Sequence, residues 1–309
     1  MTSLFNQVDM DKELENFAIE AGWKPTSVNE LFLAQYKDTL KLENPNRPTK
    51  PGFIRPSSLT SCVRKLVFEY LAEEEEFGYD GTPRIAESGT DAHKRIQNYV
   101  TDMKKHGYDV EFIDVKDYLK QHPNPDLEVI DESAEHEILS SDITSDTIVY
   151  KLGSKEITMR LSEYLDRYKG PETLVFNKKT NSRFKTDGIV KFKGEYFILE
   201  IKTENSKKYA SHVKTLEPHA KHKLQGTFYG ISFGINKVMF LYENRDNCAT
   251  FITVFEIDEV MRAKVTKLVG DTLYYGEAKA IAPRTVDKDE CRYCPYQTKC
   301  NAIGESLPR

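Results

Sequence analysis

The chain of 309 residues lacks the features of a membrane-bound or exported protein. Its longest apolar runs, such as 238–242, are far shorter than the ~20 residues that a membrane-spanning helix needs. The N-terminal stretch MTSLFNQVDMDKELE has neither the basic start nor the apolar segment of a signal peptide. Internal repeats and low-complexity segments are also absent. The sequence therefore predicts a cytoplasmic protein without membrane contact, built as one large domain or two small ones.

Positive charge is not in excess, because 44 Lys and Arg stand against 49 Asp and Glu and give a formal net charge of −5. The net charge alone gives no support for nucleic-acid binding. Basic side chains nevertheless gather in one segment, which contains Lys207, Lys208, Lys214, Lys221 and Lys223 together with His212, His219 and His222. Such a basic stripe could hold a phosphate backbone, although a solvated helix face explains it equally well.

Cysteines are few, but three of the five lie close together near the C-terminus. Cys291, Cys294 and Cys300 follow the pattern C-x2-C-x5-C, which in a cytosolic chain suggests a metal centre rather than disulfides. A tetrahedral site needs a fourth ligand, and the spacing does not choose between Cys62 and Cys248. Zinc and an iron–sulfur cluster both accept such thiolates.

The segment KTDGIVKFKGEYFILEIKTE at 185–204 predicts two short strands around a tight turn at Lys193 and Gly194. Side chains alternate along a strand, so Glu200 and Lys202 share one face of the second strand. The opposite face, with residues such as Leu199, is expected to be buried in a core. Asp187 begins the neighbouring strand, where a hairpin brings it beside Glu200. Two carboxylates and a lysine at one strand end predict a site for a hard cation.

Hydrophobic periodicity predicts further helices and strands along the chain. The predicted helices include 59–71, 84–105, 157–168, 218–233 and 258–280. The predicted strands include 110–115, 147–152, 174–176, 237–243 and 250–256.

Six short motifs occur in an order that resembles a known family. They are Cys62, the GTDAH that ends at His93, the TDG that contains Asp187, the EIK from Glu200 to Lys202, the QGTFY from Gln225 to Tyr229, and the closing cysteine triplet. Together they resemble the RecB-type branch of the PD-(D/E)XK nucleases. Within it, the chain looks most like the four-cysteine iron–sulfur exonucleases typified by the CRISPR-associated nuclease, with the AddB nuclease domain as a relative. The family's first acidic motif is not clear, and Glu172 is a candidate remnant to which we assign no role.

The resemblance implies a site for Mg2+ or Mn2+. The carboxylates of Asp187 and Glu200 suit either ion, and the family adds a carbonyl ligand at the position of Ile201. His93 would supply a nitrogen that favours Mn2+, and Lys202 would orient the attacking water and stabilise the developing charge. On the residues alone, a core histidine explains His93 better, and a strand-end ion pair is the weaker alternative for the Asp187, Glu200 and Lys202 group.

Two more assignments come with the resemblance. Gln225 and Tyr229 lie one helical turn apart and are expected to hold DNA or the reacting phosphate, although ordinary helix packing explains Tyr229 almost equally well. The resemblance also selects Cys62 as the fourth cysteine ligand and a [4Fe-4S] cluster over zinc. This cluster is expected to fasten the two ends of the nuclease region.

We therefore predict an α/β protein with a mixed central β-sheet flanked by helices, as in restriction endonucleases. Residues 1–55 are predicted to form a helical extension and 56–309 the nuclease domain, with a divergent insertion at about 107–170. The predicted function is that of a metal-dependent deoxyribonuclease, an exonuclease acting on single-stranded DNA or ends, and the family implies a 5′ to 3′ preference.

The setting predicted with this function is the cytoplasm of a bacterial, archaeal or phage-infected cell. A partner from recombination, replication or CRISPR adaptation is expected, in DNA processing, repair or spacer acquisition. Two alternatives are a non-catalytic DNA-end-binding adaptor that retains the nuclease fold and a zinc-stabilised interaction protein.

Overall fold

The computed structural model describes residues 32, 35, 36, 52–73, 82–168, 172–284, 288–292 and 294–304. In this part of the chain the α-helices of the larger compact unit are Val63–Tyr70 (α1), Thr82–Met103 (α2), Val115–Gln121 (α3), Leu161–Tyr168 (α4), Ser206–Thr215 (α5), Ala220–Phe233 (α6), Glu259–Glu277 (α7), Lys288–Arg292 (α8) and Gln297–Ile303 (α9). The strands are Val110–Ile113 (β1), Leu127–Ile130 (β2), His136–Asp142 (β3), Thr147–Leu152 (β4), Lys155–Arg160 (β5), Leu174–Asn177 (β6), Ser182–Phe184 (β7), Gly188–Phe192 (β8), Glu195–Glu204 (β9), Lys237–Asn244 (β10) and Thr250–Glu256 (β11).

The centre of the fold is a five-stranded sheet with the order β1-β8-β9-β10-β11. β9 and β10 run parallel, whereas the other neighbours are antiparallel, so the sheet is mixed. Parallel neighbours need a crossover connection, which α5 and α6 supply between β9 and β10. Lys193 and Gly194 both have positive φ in the β8–β9 turn, as a tight two-residue hairpin requires.

Helices cover both faces of the central sheet. On one face, Ile198 and Phe240 belong to the main buried cluster, together with residues of α1, α6 and α7. On the other face, Leu199 and Ile201 pack with Ile96 of α2. The predicted α/β fold, with a mixed sheet flanked by helices, is confirmed. Leu199 is buried as predicted, and the face that carries Glu200 is covered as well, because a helical layer lies on each side of β9.

Most predicted elements occur within a few residues of their expected limits. The exception is the helix predicted at 157–168. Its first part belongs to the strand β5, and only its second part is helical, as α4. Tyr150 of β4 pairs with Ile157 of β5, so the alternating side chains of that segment complete a three-stranded sheet instead of a helix face.

The segment predicted as a divergent insertion, 107–170, is divided in two by the structure. Its first part supplies β1 to the central sheet, and α3 buries Val115 and Tyr118 in the main core. The strands β3, β4 and β5 form a separate sheet, which packs with α4 around a small core of its own. We call this second part, residues 136–168, the insertion module.

The chain divides into two compact units, Met1–Pro48 and Thr49–Arg309, and the elements named above belong to the second. The predicted helical extension at 1–55 lies almost wholly outside the described residues. None of the helices in the described ranges is long and apolar enough to cross a membrane.

Candidate active site

The hairpin of β8 and β9 places the predicted carboxylates at one end of the central sheet. Asp187 immediately precedes β8, whose first residue, Gly188, pairs with Leu199. Glu200 follows Leu199 on β9 and is 1% exposed. The Asp187 carboxylate reaches across the strand end, where Oδ2 accepts a hydrogen bond of 2.5 Å from the backbone N–H of Ile201. The contact of Ile201 seen here is through its amide, and its predicted carbonyl ligand stays a prediction.

A second carboxylate and a histidine join Asp187. The ligand atoms of His93, Glu172 and Asp187 all lie within 4.8 Å of one another, and no other such trio occurs among the described residues. His93 comes from α2, and its Nδ1 is 2.9 Å from Asp187 Oδ1. Glu172 lies in the loop that precedes β6. One imidazole nitrogen and two carboxylates are a suitable ligand set for a divalent cation.

The protonation of these groups reflects burial and mutual contact. Burial would lower the pKa of His93, but the hydrogen bond to Asp187 and the charge of that residue raise it overall. Burial would raise the pKa of Asp187, but the same contact with His93 lowers it. Burial and the nearby Asp187 charge raise the pKa of Glu172. A bound cation would replace the proton that His93 and Asp187 share and stabilise Glu172 as its anion.

Glu200 lies outside this trio and faces Lys202 on the same side of β9. Lys202 Nζ is 2.7 Å from Glu200 Oε2, yet that buried oxygen accepts no well-directed hydrogen bond from the described residues. The two groups form a buried ion pair, and this oxygen has no other partner among the described residues. Burial raises the pKa of Glu200 to about 7, although the Lys202 charge acts in the opposite direction. The carboxylates around Lys202 raise its pKa despite its own burial.

A chain of hydrogen bonds holds Lys202 in position. Lys202 Nζ donates to Gln225 Oε1 at 3.1 Å, and Gln225 Nε2 donates to the Tyr229 hydroxyl at 3.1 Å. The hydroxyl in turn donates to the carbonyl of Lys185 at 3.2 Å. Tyr229 is 2% exposed and packs against Phe184, with ring centroids 5.2 Å apart. This burial favours the packing alternative for Tyr229, so we interpret it as a positioning residue rather than one that touches DNA.

Two residues of the site were not assigned from the sequence. Glu172 was noted only as a remnant, because its loop position gives no periodic signal. Gln97 was missed, although it lies one turn after His93 on α2, and this spacing could have identified it. Gln97 Nε2 donates to the Asp187 carbonyl at 2.7 Å and to Glu172 Oε1 at 3.4 Å. It thereby connects the helix, the hairpin and the loop that supply the ligand trio.

Two of the C-terminal cysteines have thiol pKa values above the ordinary range. Burial raises the pKa of Cys291 and that of Cys294, and the charges of Cys62 and Cys300 add to both shifts. In the described part of the chain, no three cysteine sulfur atoms lie within 4.8 Å of one another. Cys248 lies instead in the exposed turn after β10, with a positive φ.

Arg64 of α1 connects the start of the larger unit to this C-terminal tail. It is 2% exposed, and its Nε donates to the carbonyl of Ala282 at 2.7 Å. Its Nη1 donates to the carbonyl of Gly304 at 2.8 Å and to Cys300 Sγ at 3.4 Å. A buried guanidinium with several acceptors resists displacement, so α1 and the tail form one packed unit.

The basic stripe is exposed beside the site on α5 and the start of α6. Lys207, Lys208, Lys214 and Lys221 are exposed, whereas Lys223 is paired with Glu217. Burial lowers the pKa of His222 to about 3 and also lowers that of His219. These two histidines are therefore neutral at pH 7, and the exposed lysines carry positive charge in the stripe.

Comparison with known proteins gives only distant similarities. No protein-family model and no curated protein matches the chain. Among solved structures, that of SSO0001 shares 16% sequence identity over 90% of this chain and 97% of that chain, with a TM-score of 0.41. An alkaline exonuclease, LHK-Exo from Laribacter hongkongensis, shares 20% identity over 38% of this chain and 63% of that chain, with a TM-score of 0.30. The same enzyme in complex with dAMP gives 14% identity, 70% and 78% coverage, and a TM-score of 0.35. These values are too low to support a conclusion about function, so the function is argued from the site.

Proposed function

We propose that this protein is a metal-dependent deoxyribonuclease of the RecB-type, an exonuclease that hydrolyses phosphodiester bonds in single-stranded DNA or at DNA ends. The observation that carries the proposal is the convergence of His93, Glu172 and Asp187, with ligand atoms within 4.8 Å, next to the buried ion pair of Glu200 and Lys202. Buried acidic groups whose pKa values are shifted by burial and by specific charged partners are typical of functional sites.

The residues present fit a divalent cation. His93, Glu172 and Asp187 would hold it, and Glu200 Oε2 offers a further buried oxygen that lacks a directed hydrogen bond. Mg2+ or Mn2+ suits this set, and the imidazole favours Mn2+. When bound, the cation supplies charge neutralisation at the phosphate and acidifies a water molecule.

The surrounding side chains have separate tasks in hydrolysis. Lys202 carries a positive charge at neutral pH, because neighbouring carboxylates raise its pKa, and it stabilises the charge that develops on the phosphate. Gln225 fixes the direction of the ammonium group, and Tyr229 fixes Gln225. The exposed lysines of the basic stripe would attract the DNA backbone toward the site.

We further propose that Cys62, Cys291, Cys294 and Cys300 bind a [4Fe-4S] cluster that fastens α1 to the C-terminal tail. The contributions of Cys62 and Cys300 to the raised pKa values of Cys291 and Cys294, and the exposed position of Cys248 in the turn after β10, favour this set over the alternative one. Visible absorption of anaerobically purified protein tests the cluster. We expect Cys291→Ala to lose the absorption together with solubility and activity, and Cys248→Ser to keep all three. A colourless, soluble wild type that contains zinc would contradict the cluster.

The nuclease proposal is tested with end-labelled linear DNA, single- and double-stranded, in the presence of Mn2+ or Mg2+. We expect the wild type to degrade DNA and Glu200→Gln to be inactive, since the substitution removes the carboxylate with little change in size. Glu256→Gln is the matched control, because Glu256 is exposed on β11, and it should keep full activity. Binding of ends without degradation by cluster-loaded wild type would instead favour the adaptor.

A further inference from the structure

A cavity of about 250 Å3 lies directly beside the candidate metal site. Glu172 lines it and also belongs to the ligand trio, so the cavity and the metal site share a wall. Lys185, close before Asp187 in the chain, also lines it. Val129 of β2 and Tyr168, the last residue of α4, belong to the same lining.

We propose that this cavity binds one nucleobase of the DNA strand, at or next to the phosphate that is cleaved, and that Tyr168 stacks on that base. The proposal rests on the proposed nuclease function and adds a substrate subsite to it. The shared wall at Glu172 sets the position, since a base held there belongs to a nucleotide whose phosphate reaches the ligand trio.

The size and lining of the cavity favour a base over other ligands. Drug-sized ligands occupy sites of roughly 300–1,000 Å3, so this smaller space suits a single ring system rather than a duplex or a whole dinucleotide. Val129, Ile130 and Leu174 provide apolar surface, while Asp131 and Glu132 provide carboxylates that accept hydrogen bonds from amino groups of a base. The same carboxylates disfavour a phosphate inside the cavity.

The lysines of the cavity are better suited than its carboxylates to contact the phosphates of the DNA backbone. Lys116 and Lys185 line it, and each could contact the backbone on either side of the bound base. Alternation of a stacking aromatic with nearby cations is the usual arrangement in proteins that bind single strands.

Tyr168 is held in place by the aromatic core of the insertion module. Its ring lies 4.6 Å from that of His136 at an interplanar angle of 88°, and 4.9 Å from that of Tyr164. A ring fixed in this way loses little conformational entropy when a base stacks on it. The insertion module therefore presents an aromatic platform to the site.

The test uses full-length protein and single-stranded oligonucleotides that carry 2-aminopurine at successive positions, since the fluorescence of this base falls when it stacks. Lys202→Met serves as the background for binding, because it slows cleavage and leaves the candidate metal ligands intact. Adding Tyr168→Ala should abolish the quenching at one position and weaken DNA binding roughly 5- to 150-fold, the usual effect of losing one stacked base. Tyr168→Phe, which keeps the ring, should stay within about twofold of the background.

Val129→Trp provides a second variant that removes no aromatic contact. Val129 is 39% exposed, so a larger side chain there should fill the cavity without disturbing the core. We expect the same loss of quenching as with Tyr168→Ala. If both variants bind and quench as the background does, while wild type cleaves DNA with Mn2+, the base subsite is wrong and the nuclease proposal stands. If quenching depends on Tyr168 but wild type cleaves nothing, the subsite stands and the nuclease proposal falls. Absence of DNA binding by wild type overturns both.

Discussion

At the scale of single residues, protons and the metal ion compete for the same groups. Burial raises the pKa of Glu200 to about 7, and the contact with Asp187 raises that of His93 above its ordinary value of 6.5. Both groups therefore bind protons near neutral pH in the metal-free protein. A cation needs the unprotonated forms, so its affinity must rise as the pH rises through this range.

We predict that the Mn2+ affinity of wild type rises between pH 6 and pH 8, with a proton release that is largest at pH 6 and smallest at pH 8, as Glu200 and His93 lose their protons in the metal-free protein. Glu200→Gln should bind Mn2+ more weakly and release fewer protons than wild type at pH 6, because the contribution of Glu200 is lost. Titration calorimetry at pH 6, 7 and 8 in buffers of different ionisation enthalpy measures both quantities. Glu256→Gln should behave as wild type, and an affinity that falls with rising pH would contradict the assignment.

Removal of the Tyr229 hydroxyl distinguishes a positioning role of this residue from a direct contact with DNA. Tyr229→Phe leaves the Lys185 carbonyl and Gln225 without their partner, so we expect a loss of about 1–2 kcal/mol in the free energy of unfolding. The rate of cleavage should fall, because Lys202 becomes less well held, while the affinity for DNA stays unchanged. Tyr274→Phe, at a position 68% exposed, is the control and should change neither. Weaker DNA binding with normal stability would restore the predicted contact.

At the scale of secondary-structure elements, the β8–β9 hairpin depends on one glycine. Gly188 has φ +147, a conformation that side chains rarely adopt, and a Cβ there would lie 2.4 Å from Cε2 of Phe112. Gly188 follows Asp187 directly, so a strained backbone at 188 would displace that carboxylate. The Asp-Gly pair thus serves both the sheet and the site.

We expect Gly188→Ala to lower the free energy of unfolding by about 1–3 kcal/mol and to weaken Mn2+ binding as well. Gly270→Ala on α7 is the matched control, because a Cβ at that position meets no atom within 4 Å and alanine favours helix. Thermal denaturation with and without Mn2+ measures both effects. If Gly188→Ala is destabilised but its Mn2+ affinity is unchanged, the backbone conformation at 188 does not determine metal binding.

The packing of α1 against the C-terminal tail depends on Arg64. Arg64→Met keeps much of the volume but removes the hydrogen bonds to Ala282, Cys300 and Gly304. Hydrogen bonds of a charged group contribute about 1.5–3 kcal/mol each, so we predict a loss of at least about 3 kcal/mol. Limited proteolysis should then cut the tail, whereas Arg245→Met, at an exposed turn, should leave it resistant. A resistant tail in Arg64→Met would show that other contacts hold it.

The elements also show what the sequence can and cannot predict. The strands β10 and β11 begin where the alternation of apolar residues predicts them, because both strands of that hairpin lie in one continuous stretch of chain. The prediction of a single helix at 157–168 was wrong. A short amphipathic strand followed by a short helix has a spacing of apolar residues similar to that of one longer helix. Glu172 could not be assigned, since only the path of the chain around the sheet brings this loop residue to His93. The two buried faces of β9 likewise depend on α2, which is remote in sequence.

At the scale of the whole molecule, the insertion module is a separable part. Ile148, Tyr150 and Tyr164 form a buried cluster that is distinct from the clusters of the central sheet. Asp131 and Glu172 line the same cavity, so the chain on either side of the module lies close together. The module should therefore be removable without breaking the central fold.

We predict that replacing the insertion module, residues 136–168, by a short Gly-Ser linker leaves a folded protein that still binds Mn2+. The melting temperature should change by only a few degrees, because a separate small cluster is lost and the main one is kept. Affinity for single-stranded DNA should fall, since Tyr168 is removed. Calorimetry and fluorescence binding measure the two effects, and loss of Mn2+ binding would show that the module supports the site.

The contacts of Arg64 have a consequence for folding during synthesis on the ribosome. The guanidinium and its acceptor at Gly304 are separated by 240 positions. Synthesis at about 5–20 residues per second puts on the order of tens of seconds between them. During that time the guanidinium of Arg64 on α1 lacks the acceptor that it has in the folded protein. The packing around α1 is therefore completed by residues made long after α1, and a chain released before residue 304 lacks the acceptor at Gly304.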